Sequence, residues 1–175
     1  MATRNYEPAY ESIQKIKDPN EKILEAKQFI LFQLGSEAFT QNRFDKAVEY
    51  FNLSLNEKQS ELFAAEALYW RSESYYRMDK LVNSIADLRA FLANPQARKS
   101  KNYVMGHYSM GYAHFRNQNF REARRFFELY MNLEVKKTSD IYADAMSRVG
   151  DCYFYERDFS NAELLYSRAA NLSKN

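Results

Sequence analysis

The side chains best suited to hold a metal or carry out chemistry in this 175-residue chain are two histidines, His107 and His114, and a single cysteine, Cys152. Seven positions separate the histidines, so a helix would place them on one face, two turns apart. Neither has a carboxylate beside it in the order that zinc proteases use, and with Cys152 the three have no recognised ligand spacing. Cys152 follows Gly150 by two residues in a helical pattern, where a buried, inert thiol is the expectation. No phosphate-cradling glycine loop, nucleophile elbow or paired Ser and Lys motif is present. The chain is therefore expected to be no enzyme and to use neither metal nor cofactor.

A basic run, Arg116, Arg121, Arg124 and Arg125 beside Phe126 and Phe127, is the one stretch with the cations and rings that contact phosphate and stack on bases. Glu122 and Glu128 share that segment, which makes a solvated outer helix face the plainer reading. Charged residues make up 27% of the chain with a formal net charge of only +2, so electrostatics give no strong pull toward nucleic acid or acidic membranes. The longest apolar stretches, such as residues 29–32, fall far short of the ~20 residues that span a bilayer. No signal-peptide core follows Met1, and a signal removed or carried on a longer parent chain leaves both cytoplasm and cell envelope open.

What positions these residues is helical. Gly (4) and Pro (3) are scarce, and the β-branched runs that announce strands are missing, so the fold class is read as all-α. A small residue recurs four positions before an aromatic or aliphatic one: Ala9 and Ile13, Ala47 and Phe51, Ser84 and Leu88, Ala123 and Phe127, Ala162 and Tyr166. The first members are 38, 37, 39 and 39 residues apart, a period of stacked supersecondary units that cannot bury their apolar faces alone. Within a unit, apolar residues at three-to-four-residue intervals flank a short polar break such as Asn117-Gln118-Asn119, predicting two amphipathic helices and a tight turn. Gly35, Gly111 and Gly150 sit inside helical patterns, where Gly costs ~1 kcal/mol against Ala, so close helix contact should offset that cost. Ala47, Ala123 and Ala162 would admit the partner helix, and Phe51, Phe127 and Tyr166 would fill the space between one hairpin and the next.

Leu34-Gly35, Ala38, Phe44, Ala47 and Phe51, with their counterparts around Gly111 and Gly150, resemble the tetratricopeptide repeat. The second unit is weaker, with Ser72 in the Gly place and Ser84 in the Ala place. The resemblance implies a right-handed α-α superhelix of antiparallel hairpins at about 28–61, 65–98, 104–137 and 143–175, with polar links at 57–61, 95–101 and 135–139. Residues 1–27 read as a leading helix and link, the second helix of a truncated repeat closed by Pro19 and Asn20. That suggests a piece of a longer array, with a complete small protein as the alternative. Segments 65–70 and 108–113 are loosely similar to bacterial cell-envelope repeat proteins of the Tol-Pal-associated type.

In this family the first helix of each hairpin lines the inner surface, which implies a groove of Phe32, Ser36 and Thr40, then Tyr69, Glu73, Tyr76 and Arg77. Tyr108, Tyr112, Phe115 and Arg116 follow, then Arg148, Asp151 and Tyr155. Tyr and Arg favour binding hot spots, because a ring gives area at low entropic cost and a hydroxyl or guanidinium fixes orientation. The alternative for each ring is core packing between helices. The Lys and Asn clamp that some relatives use for a C-terminal carboxylate is absent, so an internal peptide or a folded surface is the expected partner. Self-association through the uncapped last helix, in a structural assembly module, is the competing function.

Overall fold

The computed structural model describes residues 6–172, which form nine α-helices, one short 3-10 helix and no strand. The chain divides into two compact units, residues 1–100 and 101–175. In the first, α1 (Glu7–Gln14) precedes two hairpins, α2 (Glu21–Thr40) with α3 (Phe44–Glu57) and α4 (Glu61–Arg77) with α5 (Leu81–Ala93), followed by a 3-10 helix, Pro95–Lys99. The second holds α6 (Tyr103–Arg116) with α7 (Phe120–Leu133), and α8 (Asp140–Tyr155) with α9 (Phe159–Leu172).

Local chemistry sets these boundaries. Asn20, Ser60 and Ser139 cap α2, α4 and α8, each side-chain oxygen accepting a bond from the backbone N–H three residues on. The caps explain why α2 starts at Glu21, α4 at Glu61 and α8 at Asp140, ahead of the 28, 65 and 143 read from apolar periodicity. Pro19 and Asn20 thus open α2, while α1 has already ended at Gln14. Every first helix ends alike. Asn42, Asp79, Gln118 and Arg157 take the left-handed conformation, with φ of 58°, 60°, 59° and 63°. The next N–H reaches back five residues, from Arg43 to the Ala38 carbonyl, Lys80 to Tyr75, Asn119 to His114 and Asp158 to Tyr153, each at 2.9 Å. These are Schellman ends, which satisfy the last carbonyls and turn the chain back on itself.

Three of the four hairpins share one close contact. A Cβ added to Gly35 would lie 2.6 Å from the Phe51 ring, one on Gly111 2.7 Å from Phe127, and one on Gly150 2.8 Å from Tyr166. The ring of the second helix therefore rests on bare backbone of the first, inside its own hairpin. It also reaches onward: Phe51 packs with Ala67 of α4, and Phe127 with Ala145, Val149 and Cys152 of α8. In the second hairpin Ser72 stands in the glycine place and turns its hydroxyl onto the Tyr69 carbonyl at 2.6 Å, and the smaller Leu88 stands in the place of the ring. Arg71 adds a polar tie there, bidentate to Asp87 at 2.7 and 2.6 Å and bonded to Asn52 of α3 at 2.6 Å. Buried Gln28 fastens the link after α3, accepting from the Gln59 and Ser60 amides at 3.0 and 2.7 Å.

Two expectations change. Ala9, the first member of the small-residue series, is exposed, because α1 buries none of its residues whereas Ala47, Ser84, Ala123 and Ala162 are all buried. The segment 95–101 is largely helical rather than a plain link, begun by Asn94 accepting from the Gln96 amide at 2.9 Å.

Gly111→Ala should lower the urea midpoint of the second unit, costing about 1–3 kcal/mol through displacement of the enclosed Phe127 ring. At an open helical site the same change would gain ~1 kcal/mol. Chemical denaturation followed by circular dichroism reads the sign, and an unchanged or raised midpoint would show the ring yields freely.

Candidate protein-binding surface

In the first unit the sequence-derived groove residues have mixed environments. Phe32 packs against Phe51 and Phe63, with ring centroids 6.0 and 6.4 Å away, and Ser36 and Thr40 spend their hydroxyls on carbonyls of their own helix. Tyr69 is only 6% exposed and lies against Trp70 and Phe91, so it is core rather than an open contact. Its α4 position points toward α5, and that direction outweighs its residue type. Glu73 and Tyr76 are half-buried, and Arg77 at the end of α4 is exposed.

The second unit brings its predicted residues together. Tyr108 and Tyr112, one turn apart on α6, pack edge to face at 5.0 Å, and both hydroxyls donate to the same oxygen of Asp144 on α8, at 2.7 and 2.6 Å. Burial, reinforced by these bonds, raises both phenol pKa values, that of Tyr112 to about 12, so both stay protonated donors. The other Asp144 oxygen lies 3.7 Å from Arg148 Nε, and Arg148 Nη1 lies 2.6 Å from Asp151. Asp151 in turn accepts from the Tyr166 hydroxyl at 2.8 Å, and the Arg148 guanidinium sits over Phe115, 5.9 Å from its centroid. These groups border an open pocket of about 380 Å³ lined by Phe115, Arg148, Asp151, Phe154, Tyr155 and Tyr166. Tyr155 stacks on Phe120 at 4.1 Å with the planes 2° apart, yet is 58% exposed; Arg116 is exposed as well.

Chemically this is a row of linked charges and hydroxyls edged by open rings, in which the buried Arg148 Nε alone makes an ion pair without a hydrogen bond. Asp144 and Phe154 were not among the groove residues read from the sequence. The Asp144 to Arg148 spacing of four was the one available signal, and a common one.

The remaining candidates lie elsewhere. His107 and His114 both pack on Phe126, at 6.3 and 5.6 Å, and neither nitrogen of buried His107 has a hydrogen-bond partner. Among the described residues no three His, Cys, Asp or Glu side chains converge as a metal site. Cys152 is buried, which pushes its thiol pKa up to about 12. The basic run is largely paired: Arg124 meets Glu156 at 3.2 Å and covers Tyr153, and Arg125 meets Glu122 at 3.3 Å.

With the geometry in place, comparison identifies the repeat. Residues 30–60, most of α2 with α3, match the tetratricopeptide repeat family model. That hairpin is similar to a tetratricopeptide repeat. No curated protein matches the sequence. Among solved structures, BtubC from P. vanneervenii is 16% identical with a TM-score of 0.78, covering 97% of this chain and 70% of that one. MamA from Desulfovibrio magneticus RS-1 is 13% identical at 0.71, covering 97% and 93%. The apo form of RapI is 10% identical at 0.77, covering 97% and 62%. At such identities the likeness shows the fold, an all-α helical-repeat superhelix, and with the matched hairpin it supports the tetratricopeptide superfamily.

Two outcomes follow for the second unit. Asp144→Ala should cost about 1–3 kcal/mol of stability, by stranding two half-buried hydroxyls, while Asp144→Asn, which keeps an acceptor, should cost less; urea unfolding of both variants decides. Burial holds the His107 pKa below its usual 6.5, so the unfolded chain takes up the proton first. Stability from this residue is therefore full above pH ~6.5 and declines as pH falls below it. Between pH 7 and 5 the urea midpoint should fall more for the native chain than for His107→Phe, and parallel profiles would remove the histidine as the cause.

Proposed function

We propose that the chain is a non-catalytic interaction scaffold that holds a protein or peptide segment against the first helices of its hairpins. The observation that carries this reading is the Tyr108, Tyr112, Asp144, Arg148, Asp151 and Tyr166 row, locked by bonds of 2.6–2.8 Å and a weaker 3.7 Å ion pair beside the exposed ring of Tyr155. A surface whose side chains are already fixed loses little entropy when a partner docks, so the ordering cost falls on the partner segment. Helical-repeat proteins commonly use extended surfaces of this kind to bind other macromolecules. Among the described residues no helix is long and apolar enough to cross a membrane. An envelope-facing assembly role would rest on the segments 65–70 and 108–113 alone.

A second reading, self-association, draws on exposed apolar side chains of α9, Leu164 among them. Light scattering across concentration separates the two: a strict monomer removes the assembly reading. For the scaffold reading, exposed residues make the cleaner variant, because Tyr108 and Tyr112 also hold α6 to α8. Full-length native chain and an Arg116→Ala, Tyr155→Ala variant should fold alike by circular dichroism. A partner recovered by affinity capture should bind the native chain and lose at least tenfold in affinity for the variant. Equal binding by both would overturn this face as the site.

A further inference from the structure

Three ring pairs close the hairpin turns in one register, and two of them carry a cap. Four residues after the helix glycine stands a phenylalanine, Phe39, Phe115 or Phe154, and nine residues after it stands another, Phe44, Phe120 or Phe159. The pairs are near copies: centroids 5.4 Å apart in all three, with interplanar angles of 64°, 71° and 66°. In the first unit Trp70, two residues before Ser72, lays its indole on Phe39 at 5.1 Å. In the second unit Arg148, two residues before Gly150, lays its guanidinium on Phe115 at 5.9 Å. The first helix of a following hairpin thus supplies a flat side chain from one fixed position. The third pair has no such cap among the described residues, and its rings are 53% and 57% exposed.

An arginine caps the Phe115 pair although residues 112–124 carry Arg116, Arg121 and Arg124 against Glu122 alone, so the ring, with Asp144 and Asp151 beside the guanidinium, holds it even in a basic surround. Around the Phe39 pair, residues 36–48 balance Glu37 and Asp45 against Arg43 and Lys46, and the cap is a neutral indole. Residues 151–163, around the open pair, carry Asp151, Glu156, Asp158 and Glu163 against Arg157; Asp151 and Glu156 are paired with Arg148 and Arg124, which leaves Asp158 and Glu163 outside those ion pairs. An acidic surround with two exposed π faces favours a delocalised cation, which can stack on the ring and meet the carboxylates at its edge. A lysine offers the charge without the plane.

We propose that Phe154 and Phe159 form a docking point for an arginine presented from an amphipathic helix of a partner, seated as Arg148 is seated on Phe115. This rests on the interaction-scaffold reading and names the partner's chemistry. The apolar side of that helix would lie along α9, where Tyr166 is 37% exposed although the matching Phe51 and Phe127 are covered by α4 and α8.

The probe is a synthetic peptide of residues 138–157, with Cys152→Ser to prevent oxidation, titrated into the full chain while the aromatic NMR signals of Phe154 and Phe159 are followed. Those signals should move and saturate, and the peptide carrying Arg148→Gln should bind at least fivefold more weakly. Arg148→Lys should fall between them, and Phe154→Ala in the full chain should erase the difference. Phe154 is exposed, so this variant is expected to fold, and its dispersed spectrum checks that. Equal binding by all three peptides would overturn the arginine assignment, and unmoved Phe154 and Phe159 signals at millimolar peptide would overturn the docking point itself. Neither result touches the capture experiment with Arg116→Ala and Tyr155→Ala, so the failure of one reading is distinguishable from that of the other.

Discussion

The contact between a bare helix backbone and a ring one helix later organises everything else in both units. Three of the four hairpins use it: Gly35 under Phe51, Gly111 under Phe127 and Gly150 under Tyr166. Glycine costs helical stability, about 1 kcal/mol each, and the cost is offset because the ring then meets the backbone directly and the two helices sit close. Close helices in turn need a short reversal, which the Schellman ends at Asn42, Asp79, Gln118 and Arg157 provide. The second hairpin shows the same constraint under different chemistry. Ser72 stands where the other hairpins have glycine and Leu88 where they have a ring, and the Arg71 to Asp87 fork ties α4 to α5 there. A buried pair of that kind fixes geometry more than it adds stability, since desolvation opposes the attraction.

The polar row of the second unit depends on this packing. Tyr108 and Tyr112 lie against Phe127, the ring that rests on Gly111, so their hydroxyls reach across to Asp144 from a fixed base. Asp144 is thereby the acceptor that two helices share. Tyr166, seated on Gly150, donates to Asp151 from the other side. Each end of the row is thus held by a hydroxyl whose ring is part of, or stacked against, a glycine contact, which is why so polar a surface can be rigid.

Much of this was legible in the sequence because it repeats. A small residue before a ring, a glycine inside a helical pattern and a polar break recur at a near-constant interval, and periodicity averages out the ambiguity of any one position. What repetition does not encode was missed. Tyr69 has the residue type of a contact but points toward α5 and is buried, a matter of helix rotation that type alone does not reveal. Asp144 occurs once and joins residues 32 and 36 positions away, a distance at which no local rule operates. The helix starts moved for a related reason: Asn20, Ser60 and Ser139 are single capping groups placed outside the apolar pattern that was used to find the helices.

A division of labour between residues follows from these positions. The tyrosines that look most like binding residues, Tyr108 and Tyr112, have committed their hydroxyls to Asp144 and one flank of their rings to Phe127. In the proposed scaffold they would contribute shape, because breaking a charge-assisted bond to reach a partner would cost more than the new bond returns. Exposed groups are left to make the contacts. Arg116 and Tyr155 project from helix ends, and Phe154 and Phe159 stand at a turn, all near the place where a hairpin reverses. The glycine contact lies a full turn inside these helix ends, so they carry less of the packing. A fold held together in its middle leaves its rims exposed, and in the proposed scaffold those rims, rather than the committed tyrosines, would meet the partner.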